Sequence, residues 1–327
     1  MDKKMISILI AVLAGFFIIE DVLAQSKYPE RPIEQIIPVP AGSVTDIQSR
    51  LIGEFLSKYL GQPVVPMNRP GAAGAIGGNA MAKSKPDGYT IATLVPSQAT
   101  PEYLISRENF QYTSKTIQPV AQYLAYHPGT LVTRYSDPWK SAKEFVEYAK
   151  MNPNKLKWGH IGRGAYFHVI GSKFIREAGI KMLDVVFHSD GHMMAAILGN
   201  HIDSAFIIWG PGLVPHIEGK KLKGLLYTSP RRSDQIPDLP WADELGYPTG
   251  KVESYCGVFV PKGTPKEIIT KLSETVKRIT EDNEFKARAA KLYFREQYRD
   301  TNDFADEVEF IGKSLFELGK EAGLEYR

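Results

Sequence analysis

Cysteine is almost absent. Cys256 is the only one in 327 residues, so no disulfide can form within the chain and the fold must rest on its apolar core. Cys256 sits in the apolar run SYCGVFV, where a buried, inert thiol is expected rather than a nucleophile. Histidine is scarce too, with 7 residues. The one dense group is His188, Asp190 and His192, and strand alternation running into a helix start would scatter those side chains, so no metal site is expected. No G-x-S-x-G elbow occurs, which removes the usual signature of a serine hydrolase. The run GAAGAIGG imitates a dinucleotide fingerprint, but no GK[ST] closes it and no acidic partner stands after the next strand. Tight helix packing accounts for it, and no cofactor is expected.

One long apolar run is present, MISILIAVLAGFFII, directly after Lys3 and Lys4. Its 15 residues fall short of the ~20 of a spanning helix, and VLAQS offers Ala24 as a cleavage point, so residues 1–24 read as a secretory signal peptide. Glu20 and Asp21 are unusual so near a cleavage site, which keeps an uncleaved anchor as the alternative; no cysteine follows that could carry a lipid. Without residues 1–24 the chain holds 38 basic and 34 acidic residues. That balance is too mild to argue for nucleic acid and does not oppose anionic small molecules.

With 43% hydrophobic and 24% charged residues, the rest is ordinary globular sequence, and at ~100–200 residues per domain its length suggests two domains. Short apolar runs alternate with helical patterns. IEQIIPV, QPVVPM, TIATLV, LKWGHI, DVVFHS, DSAFIIW and LKGLLYT read as strands. After the first of these, Thr45 or Asp46 is expected to cap a helix in which Ile47, Leu51, Phe55 and Tyr59 recur every four residues before Gly61 stops it. Capping boxes are expected at Ser141 to Glu144 and at Thr264 to Glu267, and Phe304, Val308, Ile311, Leu315 and Leu318 mark a final helix that buries one face. Strands separated by helices imply parallel sheets covered on both faces, with ligands beyond the carboxyl ends of the strands. The loops there, VPAGSVTD, PSQAT, HIGRGAYFH, HSDGH and WGPG, are polar or glycine-bearing, and most lead into helices. Convergent helix N-termini concentrate N–H donors and favour an anion. The free amides are expected at Gly42 and Gly164.

The order YPERP, PVPAGSVTD, LGQPVV, NRPGAAG, KPDGYT, NPNKLKWGHIGRG, LGNHIDSAF, ELGYP and VFVPKGTP resembles that of the extracytoplasmic solute receptors of tripartite tricarboxylate transporters, the Bug or TctC-like family, over almost the whole mature chain. The resemblance implies an α/β, two-lobed type II periplasmic-binding-protein fold with a hinge of two crossover strands, near QYLAYHPG and GKVESYCG. The lobes would be residues 28–125 plus 250–327, and residues 126–249. It implies a periplasmic monomer, not an enzyme, that closes on a small carboxylate and delivers it to a membrane permease. Carried over by position, the ligand loops are Pro40, Ala41, Gly42, Ser43, Val44, Thr45 and Asp46; Ser97 and Gln98; and Gly162, Arg163, Gly164 and Ala165.

Departures from that pattern bear on the ligand. Ser43 replaces a second glycine. Phe187, His188, Ser189, Asp190 and Gly191 replace the usual Pro-Tyr-Lys-Gly stretch. Ile208 and Trp209 stand where an Asp-Asn pair is common, and Arg163 occupies a loop that is usually small and uncharged. Arg163 is expected to clamp a carboxylate, with Tyr166 and Trp209 lining the pocket, which favours an aromatic or dicarboxylic acid; a solvated arginine and a rim tryptophan are the plainer readings. His168 reads as a structural residue. The competing functions are a secreted α/β hydrolase or metal-dependent enzyme, and a ligand sensor feeding a two-component kinase.

Overall fold

The computed structural model describes residues 28–104, 107–125, 129–230, 232–233, 236–249 and 252–325. The expected signal peptide lies outside them, as do residues 126–128 and 250–251 of the two expected crossings. The strands are β1 (Ile33–Ile37), β2 (Val64–Asn68), β3 (Thr90–Leu94), β4 (Ile117–Ala125), β5 (Gly129–Arg134), β6 (Lys157–Ile161), β7 (Leu183–Phe187), β8 (Ser204–Ile208), β9 (Leu222–Thr228), β10 (Tyr255–Pro261) and β11 (Arg295–Arg299). The helices are α1 (Val44–Leu60), α2 (Ala75–Ala82), α3 (Pro96–Ala99), α4 (Ala142–Met151), α5 (Tyr166–Glu177), α6 (Asp190–Leu198), α7 (Val214–Glu218), α8 (Lys266–Glu281), α9 (Asn283–Lys291) and α10 (Thr301–Glu321).

Two sheets result, ordered β11-β4-β10-β3-β1-β2 and β7-β6-β8-β5-β9. They repeat one design. β1 lies parallel between β2 and β3, β6 lies parallel between β7 and β8, and each triplet is flanked by an antiparallel strand, β10 or β5. β10 returns to the first sheet only after the chain has built the second. A two-lobed α/β fold follows, as the strand and helix alternation requires.

The first sheet's helices are placed by sequence features that are local. α1 buries Leu51, Ile52, Phe55 and Leu56, and Gly61 ends it at φ 71° with its N–H on the Ser57 carbonyl, a conformation glycine adopts at low cost. The cap itself is Ser43, whose Oγ accepts from the Asp46 N–H, not Thr45 or Asp46: Thr45 and Asp46 are already helical, and a cap must stand in extended backbone one step before. Ser141 caps α4, but the carboxylate of Glu144 reaches the Lys140 N–H at 2.7 Å instead of closing the expected box. Pro265 takes the cap position of α8, and the Thr264 hydroxyl turns back to the Pro261 carbonyl. The Cys256 thiol is fully buried, and burial pushes its pKa up to about 12, as an inert core thiol requires.

Specific apolar contacts join the two halves. Ile208, at the end of β8, packs in one cluster with Val44, Leu51 and Cys256 of the first lobe. Val169 of α5 packs with Val252, Ile311 and Leu315. A polar seam under α1 fixes the start of that helix: Thr93 Oγ1 donates to Ser49 Oγ at 2.6 Å, Ser49 Oγ to the Thr45 carbonyl at 2.7 Å, and Gln35 Nε2 to the Ser49 carbonyl at 2.7 Å.

Candidate functional site

Parallel strands end at the same edge of a sheet, so the loops after β1, β2 and β3 meet there, as do those after β6, β7 and β8. The two edges face one another: a methyl placed on Gly162 would lie 3.6 Å from the Ala73 Cβ. The cleft between them is bounded by the entrances of α1, α2 and α3 on one side and of α5, α6 and α7 on the other.

The loop of Pro40, Ala41, Gly42 and Ser43 is organised by Asp46. That buried carboxylate accepts from the Gly42 N–H at 2.8 Å, from Asn68 Nδ2 at 2.7 Å and from Arg50 Nε at 3.0 Å. Burial alone would raise its pKa, but these donors outweigh burial and hold it below the ordinary aspartate range. The Gly42 amide is therefore committed to Asp46 and is not the free donor expected for an anion. Gly42 is needed for its φ of +80°; a Cβ there would meet nothing within 4 Å. Ser43 N donates to the Pro40 carbonyl, and Val44 N, at the first helical position, keeps no acceptor among the described residues. Thr45 is buried behind the loop, its carbonyl on Ser49.

Beside it, Gln98 is buried and tied to its own loop, with Oε1 on the Val95 N–H at 3.4 Å and its carbonyl holding the Tyr112 hydroxyl. Ser97 is half-buried at the start of α3.

In the second sheet, the Gly164 N–H donates to His168 Nδ1 at 2.9 Å, so this amide too is committed. Because a backbone N–H can only donate, the proton of neutral His168 sits on Nε2, and burial, with the neighbouring His160, pushes its pKa down to about 3. The Arg163 side chain is engaged within its own sheet. Its exposed guanidinium pairs with Asp184 at 3.2 Å and lines a cavity of about 1120 Å³ with Arg107, Trp158, His168, Arg176 and Gly323. The pull is electrostatic, since Asp184 on β7 lies beside β6 and stays charged, burial being offset by hydrogen bonding from His160 and by Arg163. The Tyr166 hydroxyl is committed as well, donating to the Val252 carbonyl at 2.7 Å.

His160, His168 and Asp184 are the group among the described residues whose ligand atoms lie within 4.8 Å of one another. Nε2–H of His168 and the guanidinium on Asp184 occupy that group with protons and an arginine, which is poor preparation for a cation. His188 is exposed, and Ser189 caps α6, accepting from the His192 N–H at 3.3 Å. Asp190 and Trp209 remain at the cleft edge, each with an enclosed polar atom, Oδ1 and Nε1, that has no partner among the described residues. The sequence pattern did not single out Asp184 or His160 as partners of Arg163 and the 162–165 loop. The alternation of β6 and β7, which places every second residue on one face, is the only signal that could have done so.

Residues 48–313 match the profile of the tripartite tricarboxylate transporter family receptors. The chain belongs to that family. The family comprises solute-binding receptors, not enzymes. BugT of Bordetella pertussis is 30% identical over 272 residues, covering 82% of this chain and 83% of BugT. The solved structure of the periplasmic binding protein BugD superposes with a TM-score of 0.82 at 30% identity, covering 92% of this receptor and 100% of BugD. Rpa4515 of R. palustris, solved with adipate, superposes with a TM-score of 0.85 at 25% identity, covering 92% and 100%. Among the described residues of the receptor, no helix is long and apolar enough to cross a membrane.

Proposed function

We propose that the receptor works in the periplasm as a monomer, captures a small carboxylate between lobes made of residues 28–125 plus 250–327 and residues 126–249, and passes it to a tripartite tricarboxylate permease. The observation that carries this reading is the meeting of two sets of helix entrances, with Gly162 set against Ala73 and the helix starts of both lobes presenting amides and positive dipole ends to one gap. The adipate in Rpa4515 supports a carboxylate as the class. The donors are the first-turn amides not spent within their loops, Val44 in one lobe and the start of α6, at Ser189 and Asp190, in the other. Pro40, Ala41, Ser97, Gly162, Ala165 and His188 shape the walls.

A ligand touching both lobes stabilises only the closed form, so closure follows from differential affinity. A thermal-shift panel of mono-, di- and tricarboxylates, aliphatic and aromatic, tests it, together with small-angle scattering of the mature chain. Carboxylates should raise the melting point and compact the particle. A panel without any carboxylate that stabilises the protein overturns the reading.

A further inference from the structure

Two imidazoles hold the loop that follows β6. His160 on β6 and His168 on α5 are both buried, their ring centroids 4.1 Å apart, and each meets the loop backbone at one point. His168 Nδ1 accepts from the Gly164 N–H at 2.9 Å, so that nitrogen must stay unprotonated. His160 has the opposite requirement. Its Nδ1 stands 3.2 Å from the Gly162 carbonyl and its Nε2 stands 3.2 Å from Asp184 Oδ2. Asp184 is held ionised, and a carbonyl and an ionised carboxylate can only accept. Both bonds exist together only when both ring nitrogens carry protons, which makes His160 an imidazolium in this arrangement.

A neutral ring has one N–H for two acceptors. Wherever that proton sits, the other nitrogen turns a lone pair toward oxygen, and one bond is replaced by repulsion. The Gly162 carbonyl has little else to hold it, since its other donor, the Ala165 N–H, lies at 3.4 Å. The loop needs holding: Gly162 and Gly164 stand at φ +76° and +77°, a conformation that glycine enters and leaves at low cost. Three elements set the charge around His160. Asp184 on β7 favours the imidazolium, Arg163 in the loop opposes it, and His168 on α5 is neutral; burial is the largest influence and keeps the His160 pKa below the ordinary value of 6.5. Arg107, Glu108, Arg176 and Glu325 line the cavity that Asp184 and His168 share.

We propose that His160 is a positioning residue for ligand capture: as an imidazolium it clasps the Gly162 carbonyl to Asp184, fixes the loop of residues 162–165 where it faces Ala73 of the first lobe, and ties carboxylate affinity to a proton. This rests on the receptor reading above and deepens it. Affinity is highest where His160 holds both protons and falls as pH rises through its folded pKa, because the clasp and the positive charge behind the loop are lost together. By reciprocity, an anion bound at the loop raises the proton affinity of His160, so capture takes up a proton.

Nitrogen NMR of the imidazoles in the ligand-free mature chain, from about pH 8 down to about pH 4.5, tests the clasp, with His160→Gln identifying the signals. Both His160 nitrogens should become protonated as pH falls, and the amide signals of residues 162–165 should move with the same midpoint. Asp184→Asn is the decisive variant, because its side-chain N–H can donate to Nε2 of a neutral ring whose Nδ1–H still holds Gly162. That variant should keep the loop signals of the clasped form at every pH. With adipate as the probe, calorimetry of both proteins at the same pH cancels the ionisation of the acid itself. The affinity of the unaltered receptor relative to Asp184→Asn should fall about two- to twelvefold from the acid end to the neutral end. If His160 stays singly protonated throughout, if the loop amides do not follow its titration, or if Asp184→Asn titrates like the unaltered receptor, the inference is overturned while the receptor reading stands. If adipate and every other carboxylate of the panel fail to bind, the receptor reading fails and the affinity linkage with it.

Discussion

The phenol of Tyr166, at the first turn of α5 in the second lobe, donates to the carbonyl of Val252, on the segment that returns the chain to the first lobe, at 2.7 Å. Around this bond Val169 and Val252 pack with Ile311 and Leu315 of α10. The hydrogen bond and the apolar contact both join α5 to elements beyond its own sheet, and we infer that they help to hold the lobes closed on a ligand. A neutral bond of this kind contributes about 0.5–1.5 kcal/mol. Tyr166→Phe should therefore weaken the bound, closed state by about two- to twelvefold in affinity, measured by calorimetry. Unchanged affinity would remove this bond from the closure.

Asp46 is expected to carry the acid sensitivity of the first loop. Its folded pKa lies below the unfolded value, so its contribution is present above the ordinary aspartate pKa and is lost as pH falls through the folded value, below about 4. Asp46→Asn should cost about 2–3 kcal/mol at neutral pH by denaturant unfolding, because three donors lose an ionised acceptor, and should flatten the acid limb of the stability curve.

Gly42→Ala should cost about 1–2 kcal/mol, entirely through its left-handed backbone, since the added methyl meets no atom within 4 Å. Denaturant unfolding of the variant checks the value. A loss much larger than this would mean a clash the geometry does not contain.

Arg163→Ala should leave ligand affinity within about twofold, because the guanidinium is already engaged in an exposed pair with Asp184. The stability change should stay near 0–1 kcal/mol, the range for surface pairs. A tenfold loss of affinity, measured by titration with the best ligand of the panel, would make this arginine a ligand contact.

Asp190 should act on stability with the opposite sign to Asp46. Its folded pKa, about 6, lies above the model-peptide value of 3.8, so the empty protein is favoured below the lower value and loses stability as pH rises from about 4 to about 6. Asp190→Asn should remove that slope and raise stability at pH 7 by about 1–3 kcal/mol, read from melting curves across the range.

The sequence by itself determined the elements and the loops that matter. Apolar spacing is local, so the run from Ile47 to Tyr59, the stop at Gly61 and the strands IEQII, TIATL and LKGLLYT stand where periodicity places them. A loop after a parallel strand must face the sheet's carboxyl edge, so the loops around Gly42, Gly162, Asp190 and Trp209 were legible as one region. Cap positions slipped by one to three residues, at Ser43 and Pro265, because Ser, Thr and Asp compete for the cap and only backbone dihedrals decide among them. Tertiary structure alone decided which groups in that region remain free. Arg163 is claimed by Asp184, the Gly164 amide by His168, the Gly42 amide by Asp46 and the Tyr166 hydroxyl by Val252. Two of these partners lie within four residues in the chain, where a sharp glycine turn brings amide and side chain together; Asp184 lies 21 positions from Arg163 and Val252 lies 86 from Tyr166. Hydrogen bonds and ion pairs form with whatever donor and acceptor folding brings within about 3 Å, and periodicity along a chain carries no record of that distance.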